Sequence, residues 1–133
     1  FEGWCVGAKP ETNNDLKKSI NILEKKFDKD YSWRKTINHN LKSSYKKIFN
    51  KINFLIFLKV PSFYHVYKWR LLQEKKLQFR SKGKKIMKKK DIKKFIMFYE
   101  RITKSMIKKL VKSANVVITL DNRHKLKSLK IKR

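Results

Sequence analysis

The sequence predicts an α/β protein of predominantly helical content, a partial parallel sheet wrapped by helices. Three observations carry that expectation. Two apolar runs, Ile52 to Val60 and Val116 to Leu120, have the length of strands covered on both faces. The stretches before and between them repeat apolar residues at helical spacing. Gly occurs three times and Pro twice, which disfavours a turn-rich β-sandwich.

Phe1 to Gly7 reads as the tail of a buried strand breaking into a loop, and Pro10 with Asn13-Asn14 marks a turn. Asp15 is the expected cap of a helix carrying Leu16, Ile20, Leu23 and Phe27. A second helix from about Ser32 places Trp33, Ile37, Leu41, Tyr45, Ile48 and Phe49 on one face, with Lys42, Lys46 and Lys47 opposite. The run Phe54 to Leu58 follows as a strand and stops at Pro61. Ser62 is then placed to cap a helix with Val66, Trp69, Leu72, Lys76 and Phe79. Residues 81–90 form a basic, Gly-bearing loop. Asp91 is the expected cap of a helix with Ile92, Phe95, Ile96, Tyr99, Ile102, Met106 and Leu110 on one stripe. Val116 to Leu120 is the second strand, and the basic tail 123–133 has no decisive period. A parallel sheet takes ligands beyond the carboxyl ends of its strands. Those ends carry Glu2-Gly3-Trp4, Lys59-Val60-Pro61 and Asp121-Asn122, although polar loops stand there in any such sheet.

A chain of 133 residues fits one domain. The formal net charge of +27 points first to nucleic acid or an anionic membrane. Of 37 basic residues, however, only Arg34, Arg70, Arg80, Arg101, Arg123 and Arg133 are Arg, and phosphate recognition favours the Arg fork. The chain is also rich in Ile, Asn, Phe and Tyr, so compositional drift accounts for the Lys content. Cys5 is alone, and His39, His65 and His124 share no metal-ligand spacing. The longest apolar run falls far short of the roughly 20 residues of a membrane span. The expectation is a cytoplasmic protein from a reducing compartment.

Four blocks in order then carry a resemblance: Phe-Glu-Gly-Trp-Cys-Val-Gly (1–7), Leu-Lys-Val-Pro-Ser-Phe (58–63), Trp-Arg-Leu-Leu-Gln-Glu-Lys-Lys-Leu (69–77) and Phe-Ile-Met-Phe-Tyr-Glu-Arg-Ile-Thr-Lys (95–104). Together they resemble the second half of D-glycerate 3-kinases and related kinase-like proteins, in the phosphoribulokinase and uridine kinase group of P-loop kinases. The resemblance runs from residue 1 to about 125. It implies transfer of the ATP γ-phosphate, with Mg²⁺, to the hydroxyl of glycerate or a similar acid.

The resemblance assigns Glu2 to a Mg²⁺-bound water or the acceptor hydroxyl, against the plain alternative of a loop acid. It assigns Arg70 to a phosphate. Trp4, Lys59, Arg101 and Lys104 become substrate contacts, with a structural carboxylate as the other reading of Arg101. Gln73, Asp121 and His124 fall on the nucleotide side, against a surface imidazole for His124. Residues 81–90 become a basic lid, although Lys82, Lys84 and Lys85, like Lys75, Lys76 and Arg80, read first as solvated charge.

The sequence departs from the family in one respect. No GxxxxGK[ST] occurs, and the single Gly-Lys pair, Gly83-Lys84, follows no strand. The family's phosphate-binding loop lies at the amino terminus, so residues 1–133 are expected to be the carboxyl-side part of one domain, inactive alone. Glycerate phosphorylation by this chain above a Glu2→Ala control would overturn that. The competing expectation is a basic nucleic-acid-binding protein. The aromatics Tyr45, Phe49, Trp69, Phe95 and Tyr99 argue against it, because they fall on apolar stripes that read as core.

Overall fold

The structure, a computed structural model, describes residues 1–80 and 86–132. Four short helices come first: α1 (Asn13–Lys17), α2 (Ile22–Phe27), α3 (Ser32–Lys42) and α4 (Ser44–Phe49). Strand β1 (Ile56–Lys59) leads into two long helices, α5 (Phe63–Arg80) and α6 (Lys89–Ser113), and then into β2 (Val116–Leu120) and β3 (Leu126–Ile131). β1 and β2 pair parallel, with Ile56 opposite Val116 and Lys59 opposite Thr119. β3 returns antiparallel along β2, with an irregularity between Thr119 and Leu120. The result is the expected α/β architecture, a small sheet in a mostly helical chain.

α6 buries Ile92, Ile96, Met106 and Leu110 on one stripe. Met106 and Leu110 join Ala8, Leu41, Phe57, Ala114 and Val117 in a core over one face of the sheet. Gly7 sits in that packing with φ +76°, and a β-carbon there would stand 2.9 Å from Leu55 Cδ2, so only glycine fits. Asn115 ties the sheet together. Its Oδ1 accepts the Leu55 amide at 2.8 Å, its own amide donates to Leu55 O at 2.9 Å, and its carbonyl accepts the Lys132 amide at 2.8 Å.

Several expectations are corrected. The segment 1–7 is not the end of a strand. It turns through Val6 N–H to Gly3 O and Ala8 N–H to Cys5 O, and Phe1 is exposed. The helix expected around Asp15 is two helices. Thr12, not Asp15, caps the first in a capping box completed by Asp15, and Asn21 caps the second by accepting the Glu24 amide. The helix from Ser32 also breaks, at Ser43, whose hydroxyl donates to His39 O. On α3 the buried residues are Arg34, Asn38 and Leu41, while Trp33 and Ile37 stay exposed. A polar cluster draws that face inward instead of the apolar stripe.

The long helix is capped at Lys88, with Asp91 in its first turn, where its charge suits the helix dipole. The apolar run from Ile52 gives only a four-residue strand. Tyr45 and Phe95 are partly exposed surface residues, not core, and Phe79 stands almost free. The tail supplies the antiparallel third strand. Of the basic loop 81–90, residues 81–85 lie outside the described residues, and Lys89 and Lys90 open α6.

Candidate functional site

The carboxyl ends of β1 and β2 face the same way, and α5 crosses beside them. A hollow of about 490 Å³ opens there, lined by Val60 after β1, by Val66, Trp69, Arg70, Leu72, Gln73 and Lys76 of α5, and by His124 from the β2–β3 turn. The Trp69 and His124 rings lie 3.8 Å apart at 42°. Among the described residues, two buried donors beside this hollow have no acceptor: Trp69 Nε1 and Arg70 Nε. A buried donor left unpaired costs on the order of 1–3 kcal/mol, so such groups mark places where a ligand atom would be welcome.

The turn that holds His124 is built by Asp121. Its Oδ1 accepts the Arg123 and Lys125 amides, both at 2.8 Å, and its own amide donates to Lys125 O at 2.8 Å. The Lys125 and Arg123 amides hold its carboxyl below the usual range. His124 takes φ +63°, a left-handed conformation that costs a non-glycine residue roughly 1–2 kcal/mol. The Asp121 turn holds the imidazole over Trp69 against that cost.

Arg70 is fixed on the hollow's other side. Nη1 donates to Gln73 Oε1 at 2.7 Å, Nη2 pairs with Glu74, and the guanidinium lies 5.6 Å from the Phe95 ring centre. Glu74 is itself buried and accepts the Met87 amide at 3.3 Å. Arg70, Gln73 and His124 therefore meet, and Asp121 serves them as the frame of the turn.

The other expected residues stand elsewhere. Glu2 is exposed and, with Trp4, lines a second hollow of about 940 Å³ beside β1. Trp4 packs edge-to-face on Tyr99 at 4.9 Å. Lys59 ends β1 opposite Thr119. Lys104 pairs with Glu100 at 2.5 Å and lies 5.7 Å from the Phe63 ring, at a third hollow of about 460 Å³ that includes Asn21, Tyr64 and Tyr67.

Arg101 is a correction. All five of its donors have acceptors within the protein. Nε donates to Glu24 Oε1 at 2.8 Å. Nη1 donates to Glu11 Oε2 at 3.0 Å and Asp15 O at 3.2 Å, and Nη2 to Lys18 O at 2.6 Å and Glu24 Oε2 at 2.7 Å. None remains for a substrate, so Arg101 takes the structural role. Its neighbour Arg34 donates from Nε to Asp28 Oδ2 at 2.7 Å, from Nη1 to Leu16 O at 2.7 Å, and from Nη2 to Asp28 O. Burial works to raise the Glu24 and Asp28 carboxyls. The hydrogen bonds from Arg101 and the Ile20 amide to Glu24, and from Arg34 and the Trp33 amide to Asp28, outweigh it and hold both below the ordinary range.

Trp69 was legible only as core, yet its position beside Arg70 in Trp-Arg-Leu-Leu-Gln was the available signal. Glu74, the one buried residue of α5, stands four residues after Arg70, the spacing of a helical ion pair. Among the described residues no group of three or more His, Cys, Asp or Glu side chains is placed to hold a metal ion. No helix there is long and apolar enough to cross a membrane.

No family model and no curated protein matches the chain. A solved structure does: D-glycerate 3-kinase from Cryptococcus neoformans var. grubii, at 20% identity and a TM-score of 0.75. The match covers 98% of this chain and 48% of that one, so the chain spans about half the length of the structure it is similar to. Likeness at that identity shows the fold: the chain is folded like half of a kinase.

Proposed function

We propose that the chain is the carboxyl-side half of a cytoplasmic, ATP-dependent kinase that phosphorylates D-glycerate or a similar hydroxy acid. The observation that carries this reading is the meeting of Arg70, Gln73 and His124 around Trp69 at the carboxyl ends of a parallel pair. The Trp69 face and Nε1–H suit a nucleotide base, with Gln73 and the Asp121 turn as its polar edge. Arg70 offers a free Nε–H and a fixed cation for a phosphate oxygen. The resemblance adds Trp4, Lys59 and Lys104 as substrate contacts and Glu2 for the acceptor hydroxyl or a Mg²⁺-bound water. Glu2 and Trp4, however, line one separate hollow and Lys104 another, so the reading rests on Trp69, Arg70, Gln73 and the Asp121 turn. These residues fit the base and one phosphate. They do not form the backbone nest that β- and γ-phosphates need, so that nest and most of the Mg²⁺ shell must come from a companion segment.

The test is the indole N–H resonances of the isotope-labelled chain during titration with ATP. A shift of Trp69 that spares Trp33, kept at about 150 mM salt, supports the reading. Weak shifts spread over many residues and abolished by salt would retire it.

The net charge of +27 favours a second reading, binding of a nucleic acid, and the same titration with single-stranded DNA tests it. A steep fall in affinity with salt, with contacts spread over the lysines, is its signature.

A further inference from the structure

A second place in the molecule holds a hydrogen-bonding group without employment. Ser105 stands inside α6, and its Oγ is buried with no partner. A hydroxyl within a helix commonly turns back to the carbonyl four residues earlier. Thr36 does so to Ser32 O at 3.0 Å, and Ser43, at the end of α3, to His39 O at 2.9 Å. The Ser105 hydroxyl forgoes that bond and lines a cavity of about 70 Å³ between α6 and the helices α1 to α3.

The rest of the lining selects what could enter. Leu16, Leu23, Leu41 and Ile102 make apolar walls, the first three of them buried. Trp33 and Ile37 of α3 and Phe98 of α6 also line the cavity and are about half exposed, so its solvent side is apolar too. The Arg34 and Arg101 guanidinium groups are engaged by Glu11, Glu24, Asp28 and backbone carbonyls. Lys9, also of the lining, is exposed to solvent. An ion entering would lose its water and find the buried counter-charges already paired. A water molecule needs on the order of 10–15 Å³ of such space and two to four polar partners. The cavity has room for roughly five waters and only one unpaired buried group to hold them, so water fills it poorly.

We propose that this cavity is a binding site for a small neutral alcohol, a molecule of about five non-hydrogen atoms with an apolar body and one hydroxyl. The body lies against the leucine and isoleucine walls. The hydroxyl meets Ser105 Oγ, which has both a donor and acceptor lone pairs to give. The site shares no residue with the Trp69 hollow, so it stands or falls independently of the kinase reading.

A ligand of so few atoms binds weakly, and the test is a titration followed residue by residue. Of the chain's three methionines Met97 alone lines the cavity, which makes methyl-labelled methionine the readout. The full chain is titrated with n-butanol. The expected result is a saturable shift of the Met97 methyl, with Met87, Met106 and the Trp69 indole unmoved. Ser105→Ala should weaken binding about fivefold, the loss of one neutral hydrogen bond, and Ser105→Leu should abolish it by filling the space. Where Ser105→Leu fails to fold by circular dichroism, Ser105→Ala decides alone, alanine being the best helix former. Butyrate and butylammonium, charged analogues of the alcohol, should leave Met97 in place. A shift that grows linearly and equally at all three methionines would overturn the proposal, because it reports solvent composition alone. So would unchanged affinity in Ser105→Ala, or butyrate bound as tightly as the alcohol. No shift at all leaves the cavity to water and retires the site.

Discussion

Arg101 and Arg70 both project from long helices into partly buried surroundings, and the fate of their donors divides the molecule in two. Around Arg101, Glu11, the backbone of Asp15 and Lys18, and Glu24 of α2 supply an acceptor for every N–H, and Glu24 is shared by both Arg101 and Arg34. Around Arg70, Gln73 and Glu74 fix the guanidinium from one side, while Nε and the neighbouring Trp69 Nε1 face no acceptor. In the first region both guanidinium groups are engaged by the protein itself, and among its described side chains the Ser105 hydroxyl alone is buried without a partner. The second is held rigid but incomplete. Saturation, not residue type, separates a structural arginine from a candidate binding one.

The largest effect expected is at the saturated end. Arg101→Met leaves Glu11 without its cation and Glu24 with only Arg34 at 3.8 Å, and should cost about 3–5 kcal/mol in urea unfolding. Arg101→Lys should recover only a minor part, because an ammonium cannot reach both carboxylates and two carbonyls at once. An Arg101→Met protein within about 1 kcal/mol of wild type would break the comparison.

Acid sharpens it next. Glu24 and Asp28 hold their protons less tightly folded than unfolded, so their contribution is complete above the unfolded values of about 4.3 and 3.9 and is lost as pH falls through the lower folded ones. The urea midpoint should hold steady above about pH 5 and drop below pH 4. In Arg101→Met the drop should be shallower.

The smallest effect on stability belongs to the unsaturated end. Trp69→Phe keeps a ring against His124 and removes a donor that has no partner, so stability should change by less than about 1 kcal/mol. ATP affinity, if the hollow is the base site, should fall roughly tenfold in the same variant by calorimetry. A large loss of stability with unchanged affinity would move Trp69 to the structural side.

The contrast also explains what could be read beforehand. Strong periods and sharp stops gave α5, α6, β1 and β2, because Pro61 and the Ile92–Leu110 stripe are local signals. Arg34 and Asn38 face inward on α3 because of Asp28 and of Glu11 N–H, which lies 27 residues from Asn38. The Asp28–Arg34 pair spans six residues and the Glu11–Asn38 pair 27, and neither spacing is a helical or strand period that a pattern would register. β3 was ambiguous for a similar reason: both faces of its strand are exposed, so no burial period was imprinted on it. In the site, Arg70, Gln73 and His124 could be named, but that Trp69 joins them depends on a turn 55 positions downstream.

Asn115 has a consequence for the order of assembly. Its contacts to residue 55 cross 60 positions of sequence, while its contact to Lys132 spans a single hairpin. The β2–β3 hairpin can therefore form early, on local contacts, whereas β1 can find its alignment only after α5 and α6 have folded back on each other. Asn115→Ala should leave the fast hairpin phase intact and slow the final one. Asn115 then acts less as a structural tie than as the checkpoint at which the slow half of folding is proofread.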